Sequence, residues 1–413
     1  MNRFRLVCSR CSLTFPFRYN EMKCTCGGTL LVDYDLEQIA GTFTKKALAA
    51  RYPSMWRYKD LLPVDDPDCI VSLGEGWTPL IRLREWEQKL PIRQLWIKRE
   101  EQNPTGSFKS RGFSVAVSLL KEAGVTQAAV PSNGNAAGAL AAYAGRAGIQ
   151  AYAFIPLDCP PLIVQECVQY GAQTYLVDGF IHDAAAIIEA GKDEQGWVNV
   201  GTLKEAGRVE GKKTMGLELA EQLGWKFPDV VIYPTGGGSG IIGMWKAYLE
   251  LQAMGWIDGP MPRFVCVQEA GCQPIVDGLA ARNQATATAT ATPATPTGVP
   301  ANPTGMRVPN PPDLALILSI VEQSGGTAIA LSKNEIASAA ACLGAQGISA
   351  SPEGAATWAG LLACCESGWL RPTDSVVLFN TSHAMKYTTL ASAPQLPTIR
   401  NYQDYCNHLN GLQ

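Results

Sequence analysis

Apolar and polar residues follow one another along the chain in two different rhythms. Short apolar runs are typical of buried strands, and the longer segments between them repeat apolar positions every three to four residues, as helices do. The strand-like runs cover residues 94–98, 128–131, 151–155, 174–177, 230–233, 264–268 and 375–379. The helical segments cover residues 112–122, 136–147, 161–170, 181–190, 211–223, 240–254, 333–343 and 352–366. Because strands that alternate with helices pair in parallel, we predict an α/β fold with doubly wound sheets.

Composition and charge narrow the possible functions. The chain has 413 residues, of which 46% are apolar and 17% charged, and this composition excludes a disordered protein. The net charge is −3 and no basic block stands out, so we expect neither nucleic acid nor a membrane surface as a partner. The chain begins without a signal-like apolar stretch, and the uncharged run 125–145 is interrupted by Pro131. We therefore expect a cytoplasmic protein.

Four of the thirteen cysteines form a pattern of their own. Cys8 and Cys11 form a CxxC motif, and Cys24 and Cys26 form a CxC motif followed by two glycines. Two such pairs separated by a short spacer are typical of a tetrahedral zinc site, and four thiolates would leave the metal no open position. Two disulfides, or four unrelated thiols, are the alternatives. A cytosolic location favours structural Zn²⁺.

Two loops between a predicted strand and a predicted helix carry candidate chemistry. The segment 103–112, NPTGSFKSRG, places Lys109 at the start of a helix, where the positive helix end lowers the pKa of an amine and suits it to imine formation. The segment 131–138, PSNGNAAG, exposes backbone amides at the start of an Ala-rich helix and includes Ser132 and Asn135. An ordinary surface lysine and a simple capped turn are the alternatives.

A third loop, PTGGGSG at 234–240, directly follows the strand-like run 230–233. Its consecutive glycines leave the backbone N–H groups free to surround a phosphate. The glycine spacing fits neither the dinucleotide fingerprint nor the GxxxxGK[ST] loop, which disfavours NAD and ATP as ligands. With only three histidines in the chain, a mechanism built on several histidines is nearly excluded.

The order of these loops resembles that of the fold-type II pyridoxal-phosphate enzymes, and more narrowly that of the threonine synthases. The resemblance covers nearly the whole chain. Besides the three loops and the cysteine ribbon, it rests on RVEGKKT at 208–214, SPEGAAT at 351–357 and NTSHAMKY at 380–387. It implies a lyase that uses pyridoxal 5′-phosphate to convert O-phospho-L-homoserine and water into L-threonine and phosphate.

The resemblance also implies roles for individual residues. Lys109 would bind the cofactor covalently, Asn135 would contact its 3′-oxygen, and Thr381 would hydrogen-bond its pyridine nitrogen. A hydroxyl cannot hold that nitrogen protonated as a carboxylate would, so the ring is a weaker electron sink, which favours eliminations and replacements. His383 would lie near the site. The cofactor phosphate would be bound by Gly236, Gly237, Gly238, Ser239 and Gly240.

A phosphorylated substrate needs a second anion pocket. Arg208 is the candidate by its position in the motif, with Ser132 and Thr202 as hydroxyl donors; alternatively, Arg208 pairs with Glu205 or Glu210 and the hydroxyls cap helices. Ser110 and Ala136 depart from the residues common in the family, and we expect these departures on the substrate side of the site. The alternative activities are a β-replacement or β-elimination on O-phosphoserine or a similar amino acid, as in cysteate synthases or dehydratases. A silent paralogue is a further alternative, which the intact Lys109 and phosphate loop disfavour.

The predicted organisation has three parts. Residues 1–35 form a zinc-ribbon-like segment, residues 50–120 and 203–395 form a large cofactor-binding α/β domain, and residues 121–202 form a small α/β domain. The Thr/Ala/Pro-rich stretch 283–312 interrupts the large domain, and we expect it to be a disordered surface insertion. The cofactor would lie between the two α/β domains. The resemblance further implies a homodimer.

Overall fold

The computed structural model describes residues 3–287, 302, 304–388, 398–404 and 406. The strands are β1 Phe4–Cys8, β2 Thr14–Phe15, β3 Leu30–Tyr34, β4 Leu80–Arg82, β5 Gln94–Arg99, β6 Gln127–Pro131, β7 Gln150–Pro156, β8 Gln173–Val177, β9 Val198–Asn199, β10 Val230–Pro234, β11 Arg263–Glu269, β12 Thr327–Leu331 and β13 Ser375–Asn380. The α-helices are α1 Leu36–Ala40, α2 Lys45–Ala49, α3 Arg84–Glu87, α4 Lys109–Glu122, α5 Asn135–Ala147, α6 Pro161–Gln169, α7 Ile181–Gln195, α8 Gly207–Gln222, α9 Ser239–Ala253, α10 Pro274–Ala287, α11 Leu314–Gln323, α12 Lys333–Gly344 and α13 Pro352–Glu366.

The largest sheet has six strands in the order β12-β11-β10-β13-β5-β4, all parallel except β4. Its central strands are buried on both faces, because successive side chains point to opposite sides. On one side Ile232, Val265 and Leu378 pack against α12 and α13. On the other side Val231 and Phe379 belong to the cluster formed with α8, α9 and α11.

A second, parallel sheet has four strands in the order β8-β7-β6-β9. Helices α5 and α6 cover one face with small and branched side chains such as Ala137, Leu140 and Ile163. On the other face, Ala184 and Ile188 of α7 form a smaller cluster with Ala129 of β6. This sheet lies within the predicted small domain, whose boundaries at residues 121 and 202 stay a prediction.

The N-terminal segment forms a third sheet, which is antiparallel and has the order β2-β1-β3. Its hydrophobic side packs into a cluster with α4, α8 and α9. Several hydrogen bonds tie it to the rest of the chain, among them one from the Tyr34 hydroxyl to Glu210 at 2.8 Å. The amide of Ala206 donates to the carbonyl of Tyr19 at 2.7 Å, and the Thr29 hydroxyl donates to Asp313 at 2.6 Å.

The α/β fold predicted from the hydrophobic pattern is confirmed, and each of the seven predicted strands is present. Helix α4 begins at Lys109, three residues earlier than its apolar pattern indicates. Strand β12 was not predicted, because its sequence TAIAL is short and only Leu331 is fully buried. Helices α10 and α11 were not predicted either.

Close helix contacts at glycines fix α4, α8 and α9 to one another. A Cβ atom at Gly211 of α8 would lie 2.6 Å from the carbonyl carbon of Arg111 in α4, and one at Gly216 would lie 2.7 Å from Cβ of Ala247 in α9. A fully buried ion network adds to this contact: Arg111 donates to Glu100 at 2.7 Å and to Glu218 at 2.9 Å. The N-termini of these three helices are therefore held rigidly.

Within the described ranges, every helix is too short or too polar to cross a lipid bilayer.

Candidate active site

A cleft lies where the carboxyl ends of β5, β10 and β13 meet the carboxyl end of β6. Counted out to its open mouth, it contains about 780 Å³ of space. The strands of the large sheet lie in the order β10-β13-β5, so Thr381, which follows β13, lies between the glycine loop after β10 and the lysine loop after β5. Parallel sheets bind ligands at such strand ends. The lining includes most of the predicted site residues: Lys109, Ser132, Asn135, Thr202, Arg208, Gly236, Gly237, Gly238, Ser239, Gly240 and Thr381.

The glycine loop requires glycine at several positions for steric reasons. A Cβ atom at Gly237 would lie 3.0 Å from Cγ2 of Thr202, and Gly238 has φ +78°, a conformation that favours glycine. A Cβ at Gly240 would lie 2.5 Å from the Cζ atom of Tyr233. Helix α9 starts within this loop, at Ser239, and no side chain caps it. Its first amides therefore remain available to an anion.

Two other helix N-termini point at the same cleft. Helix α4 starts at Lys109 without a side-chain cap, and α5 starts at Asn135, where the Ser132 hydroxyl accepts the amide of Ala137 at 3.2 Å. Helix α8 begins at Gly207, but its first amides are occupied. Those of Gly207 and Arg208 donate to the Glu205 carboxylate at 2.6 and 2.9 Å. The positive ends of several helix dipoles thus favour negative charge in the cleft.

Lys109 is held in place through the backbone of its loop. The amide of Phe108 donates to the carbonyl of Thr381 at 2.9 Å, and the amide of His383 donates to the carbonyl of Gly106 at 3.0 Å. The Lys109 ammonium lies 4.3 Å from the centre of the Phe108 ring. Burial, together with the nearby charge of Arg208, lowers the pKa of Lys109 to about 7, although Glu353 opposes this shift. A large share of Lys109 is therefore an uncharged, nucleophilic amine at neutral pH.

Arg208 lines the cleft without a carboxylate partner for its guanidinium. Its side chain is buried, donates to the carbonyl of Val200 at 2.6 Å and stacks 4.2 Å from the centre of the Phe113 ring. Its Nε has no hydrogen-bond partner. Glu205 accepts the backbone amide of Arg208, and Glu210 is paired with Lys213 and Lys246 instead. The two pairings weighed from sequence are thus absent, and the buried cation remains available to an anion in the cleft.

A hydrogen-bonded chain crosses the opposite wall of the cleft. Asn135 donates to the Tyr387 hydroxyl at 2.9 Å, and that hydroxyl donates to Glu353 at 2.6 Å. Glu353 also accepts the amide of Gly305 at 2.8 Å. One oxygen of Glu353 and the amide oxygen of Asn135 remain without a partner although they are buried. Unsatisfied buried oxygens beside a cavity are positioned to accept hydrogen bonds from a ligand.

The remaining predicted residues have differing surroundings. The Ser132 hydroxyl accepts the amides of Gly134 and Ala137 at 3.0 and 3.2 Å, so it stabilises its own turn as well as lining the cleft. His383 does not line the cleft; its ring interacts with the Ser349 hydroxyl and accepts the Met385 amide, each at 3.2 Å. The imidazole therefore supports the loop after Thr381.

Two expectations from sequence need correction. Ser110 does not line the cleft: its hydroxyl is fully buried against that of Thr105 at 2.8 Å, whereas Ala136 does line it. The stretch 283–312 was expected to be a disordered surface insertion. Its residues 283–287 belong to α10, and Thr304, Met306 and Arg307 are buried; residues 288–301 and 303 lie outside the described residues. Apolar periodicity could not identify this segment, because it is too short and Pro-rich to show one.

The segment 304–308, here called the strap, closes one side of the cleft. Gly305, Met306 and Val308 belong to the lining. Arg307 binds Asp158 in a bidentate ion pair at 2.6 and 2.8 Å, and its carbonyl accepts the side-chain amide of Asn133 at 2.9 Å. These contacts join the strap to loops of the four-stranded sheet. The strap therefore links the two sheets across the cleft.

A family model described as pyridoxal-phosphate dependent enzyme matches residues 71–382 of this chain. The match covers more than half of the chain and includes every cleft residue. The chain belongs to the pyridoxal-phosphate-dependent enzymes.

Curated relatives within this family are similar over nearly the full length. The threonine synthase of Methanocaldococcus jannaschii is 34% identical over 92% of this chain and 92% of its own length. That of Methanosarcina acetivorans is 32% identical over 96% of both chains, and that of Mycobacterium tuberculosis is 31% identical over 83% of this chain and 91% of its own. The resemblance to threonine synthases found in the motifs is confirmed.

Solved structures support the fold. Maize serine racemase superposes with a TM-score of 0.59 at 20% identity, over 81% of this chain and 93% of its own. Diaminopropionate ammonia lyase from Escherichia coli superposes with a TM-score of 0.62 at 17% identity, over 78% of this chain and 92% of its own. At such identities the likeness establishes the fold.

The cleft of this pyridoxal-phosphate-dependent enzyme fits its cofactor. A lysine with a lowered pKa, an uncapped helix start behind glycines that admit no side chain, and the buried side-chain amide of Asn135 lie around one cavity. These features provide an amine for an aldehyde, N–H donors for a phosphate and a polar group for a ring substituent. Lys109, Asn135, Thr381 and the loop 236–240 are the residues that would hold the cofactor.

The four N-terminal cysteines also come together. The sulfur atoms of Cys8, Cys11, Cys24 and Cys26 all lie within 4.8 Å of one another, with Cys8 to Cys26 at 3.4 Å and Cys11 to Cys24 at 3.6 Å. Four sulfurs that bind zinc at about 2.3 Å in a tetrahedron lie roughly 3.8 Å apart, whereas disulfide sulfurs lie about 2.05 Å apart. The cluster therefore has the dimensions of a metal site rather than of two disulfides.

Three residues at or near the cleft were not assigned from sequence. Glu353 and Tyr387 lie in the SPEGAAT and NTSHAMKY motifs, and Lys212 lies in RVEGKKT. Their positions in these motifs already indicated that they lie in functional segments. Their roles were not accessible, because each depends on a partner at least 27 positions away in the chain.

Proposed function

We propose that this protein is a threonine synthase, which converts O-phospho-L-homoserine and water into L-threonine and phosphate. The observation that carries the proposal is the near full-length similarity to curated threonine synthases, combined with a cleft lined by two groups of residues that can bind anions. One site is the glycine loop at the start of α9. The other contains the unpaired guanidinium of Arg208.

Two anion sites suit a phosphorylated amino acid together with a phosphorylated cofactor. When bound, pyridoxal phosphate supplies an electron-withdrawing conjugated ring that stabilises negative charge at the carbon atoms next to the substrate nitrogen. The glycine loop would hold the cofactor phosphate. Arg208 would bind the substrate phosphate and favour its departure, with Thr202 and Ser132 as hydroxyl donors.

Lys109 would carry protons during the reaction. Its amine, uncharged in a large share of molecules at neutral pH, would hold the cofactor. When the substrate amine takes its place, the Lys109 amine would remove protons from Cα and Cβ of the substrate and deliver protons to Cγ and Cα, while water supplies the hydroxyl at Cβ. The positive charge of Arg208 nearby favours the uncharged form. The strap, joined to Asp158 through Arg307, would exclude water until the phosphate has left.

The finer assignments at the cofactor ring are part of the same proposal. Asn135 would contact the 3′-oxygen through the second hydrogen of its amide nitrogen, since the first is donated to Tyr387. Thr381 would hydrogen-bond the pyridine nitrogen. His383 would act indirectly, by supporting the loop that follows Thr381.

Three further features accompany this function. The cysteine cluster would hold a structural Zn²⁺ as a zinc ribbon, since four thiolates leave the metal no open position. The two α/β units would be separate domains, with the small one at 121–202. The cytoplasmic location and the homodimer are also part of the proposal and follow from the sequence and the family.

The deciding experiment measures phosphate release. Purified, cofactor-loaded protein is offered O-phosphohomoserine and O-phosphoserine side by side, and the amino-acid products are identified. Threonine from the first substrate is expected. Release from O-phosphoserine alone would instead establish a β-replacement or β-elimination enzyme, and release from neither would refute the proposal.

The Arg208→Met variant tests the second anion site. Loss of a charge-assisted hydrogen bond to phosphate should raise KM for the phosphorylated substrate about 10- to 100-fold. Cofactor content should remain that of the wild type. Loss of cofactor instead would show that Arg208 supports the structure of the cleft.

A further inference from the structure

Lys212 stands apart from the other buried lysines of the described residues. Lys212 lies in α8 and its side chain is fully buried. The side chains of Lys98 and Lys213 are also fully buried, and that of Lys246 is nearly so. Lys98 pairs with Glu218, and Lys213 and Lys246 pair with Glu210 and Glu250. For Lys212, the described part of the chain provides no such ion pair. Its Nζ donates to a neutral group, the Ser239 hydroxyl, at 2.7 Å.

The position of this lysine relates it to the cleft. Ser239 is the first residue of α9 and belongs to the glycine loop that lines the cleft. The Lys212 ammonium also lies 5.6 Å from the centre of the Phe108 ring, next to Lys109. Its stem is packed tightly, since a Cβ atom at Gly112 would lie 3.4 Å from Cε of Lys212. The amine is thus fixed beneath the loop, with two of its three possible donated hydrogen bonds unused.

A buried ammonium without a counter-ion is costly. Burial, with Arg208 and Lys109 nearby, lowers the pKa of Lys212 well below its usual range, although the charge of Glu205 opposes this shift. An anion at the start of α9 would reverse this situation by supplying opposite charge and acceptor oxygens. The loop offers a phosphate monoester its backbone N–H groups but no charged side chain of its own, since it consists of Pro, Thr, Gly and Ser.

We propose that Lys212 provides the positive charge for the phosphate of the cofactor, binding it through Ser239 at the glycine loop. The inference rests on the cofactor site described under the proposed function and adds a residue to it. Arg208, about one helical turn before Lys212 on α8, then remains for the phosphate of the substrate. The role of Lys212 is tested by cofactor affinity, which requires no substrate. A failure of this proposal can therefore be distinguished from a failure of the threonine synthase activity.

The test compares pyridoxal phosphate with pyridoxal, which lacks the phosphate. Full-length protein freed of cofactor is titrated with each, for the wild type, Lys212→Met and Lys212→Gln. Loss of the buried positive charge behind Ser239 should weaken pyridoxal phosphate binding about 10- to 100-fold and leave pyridoxal binding unchanged. Lys212→Gln can still donate to Ser239 but carries no charge, and it should show the same loss. Lys192→Met, at an exposed position of α7, should match the wild type.

Thermal unfolding of the cofactor-free proteins provides the second readout. Because Lys212 has no counter-ion, removing its amine should leave the Tm of the cofactor-free protein unchanged or raise it, and should reduce the increase in Tm caused by pyridoxal phosphate. A lower Tm without cofactor, insolubility of both variants, or equal losses for both ligands would show a structural lysine and overturn the proposal. Unchanged pyridoxal phosphate affinity with a raised KM for the phosphorylated substrate would overturn it as well, because the bound anion would then be the substrate phosphate.

Discussion

Gly211, in the middle of α8, is the position where a single methyl group should disturb both the fold and the cleft. A Cβ atom there would lie 2.6 Å from the carbonyl carbon of Arg111 and 2.8 Å from Cα of Gly112, both in the backbone of α4. Ordinary contact between such atoms is about 3.5–4.0 Å, so α4 and α8 would have to separate by roughly 1 Å. Backbone atoms cannot rotate away as a side chain does, and overpacking of this kind costs about 1–3 kcal/mol.

The same displacement should reduce catalysis. Lys109 lies at the start of α4 and Arg208 three residues before Gly211, so separating the two helices moves the amine relative to the guanidinium. A misplacement of about 1 Å can cost on the order of 100-fold in rate. We therefore expect Gly211→Ala to lower kcat/KM for threonine formation about 100-fold and to lower the urea midpoint of unfolding.

The matched control is Gly344→Ala, because Gly344 ends α12 and a Cβ atom there would meet nothing within 4 Å. Alanine has the higher helix propensity by about 1 kcal/mol, so this variant should be as stable as the wild type or slightly more stable, with unchanged kcat/KM. If Gly211→Ala behaved like this control in both assays, the argument that the helix contact sets the geometry of the cleft would be wrong.

Three further outcomes are expected. When cofactor is added to cofactor-free protein, the rate at which the imine absorbance band forms should rise with pH and level off above about 7, because the pKa of Lys109 is lowered to about 7 and only the neutral amine reacts. A rise that continues to pH 10 would contradict this. The Lys109→Ala variant should show no band. Asp158→Asn should raise KM several-fold by freeing the strap, with a Tm within about 2 °C of the wild type because Asp158 is half exposed; an unchanged KM would argue against a closing strap. Cys8→Ser and Cys24→Ser should lose bound zinc and solubility while turnover per folded molecule survives, and full metal content in both variants would refute the zinc assignment.

Much of the site could be predicted because its parts are local. The glycine loop at 234–240 and the lysine loop at 103–112 each follow an apolar run and precede a helix. Open parallel sheets bring the carboxyl ends of neighbouring strands together, so the order of these loops already indicates a shared cleft. The cysteine pairs are equally local, and the structure brings their four sulfurs within 4.8 Å of one another.

What the sequence determined by itself is the α/β class, seven strands of the two larger sheets, the lysine, asparagine and glycine loops that line the cleft, and the family. These features can be predicted because hydrophobic periodicity and glycine spacing are local properties that extend over a few residues. The tertiary structure decided the surroundings of individual residues. It buried Ser110 away from the cleft, left Arg208 and Lys212 without a carboxylate ion pair among the described residues, and folded the strap against the site. Those outcomes depend on helix contacts and ion pairs between residues far apart in the chain, where charge and burial are set by packing and not by local pattern.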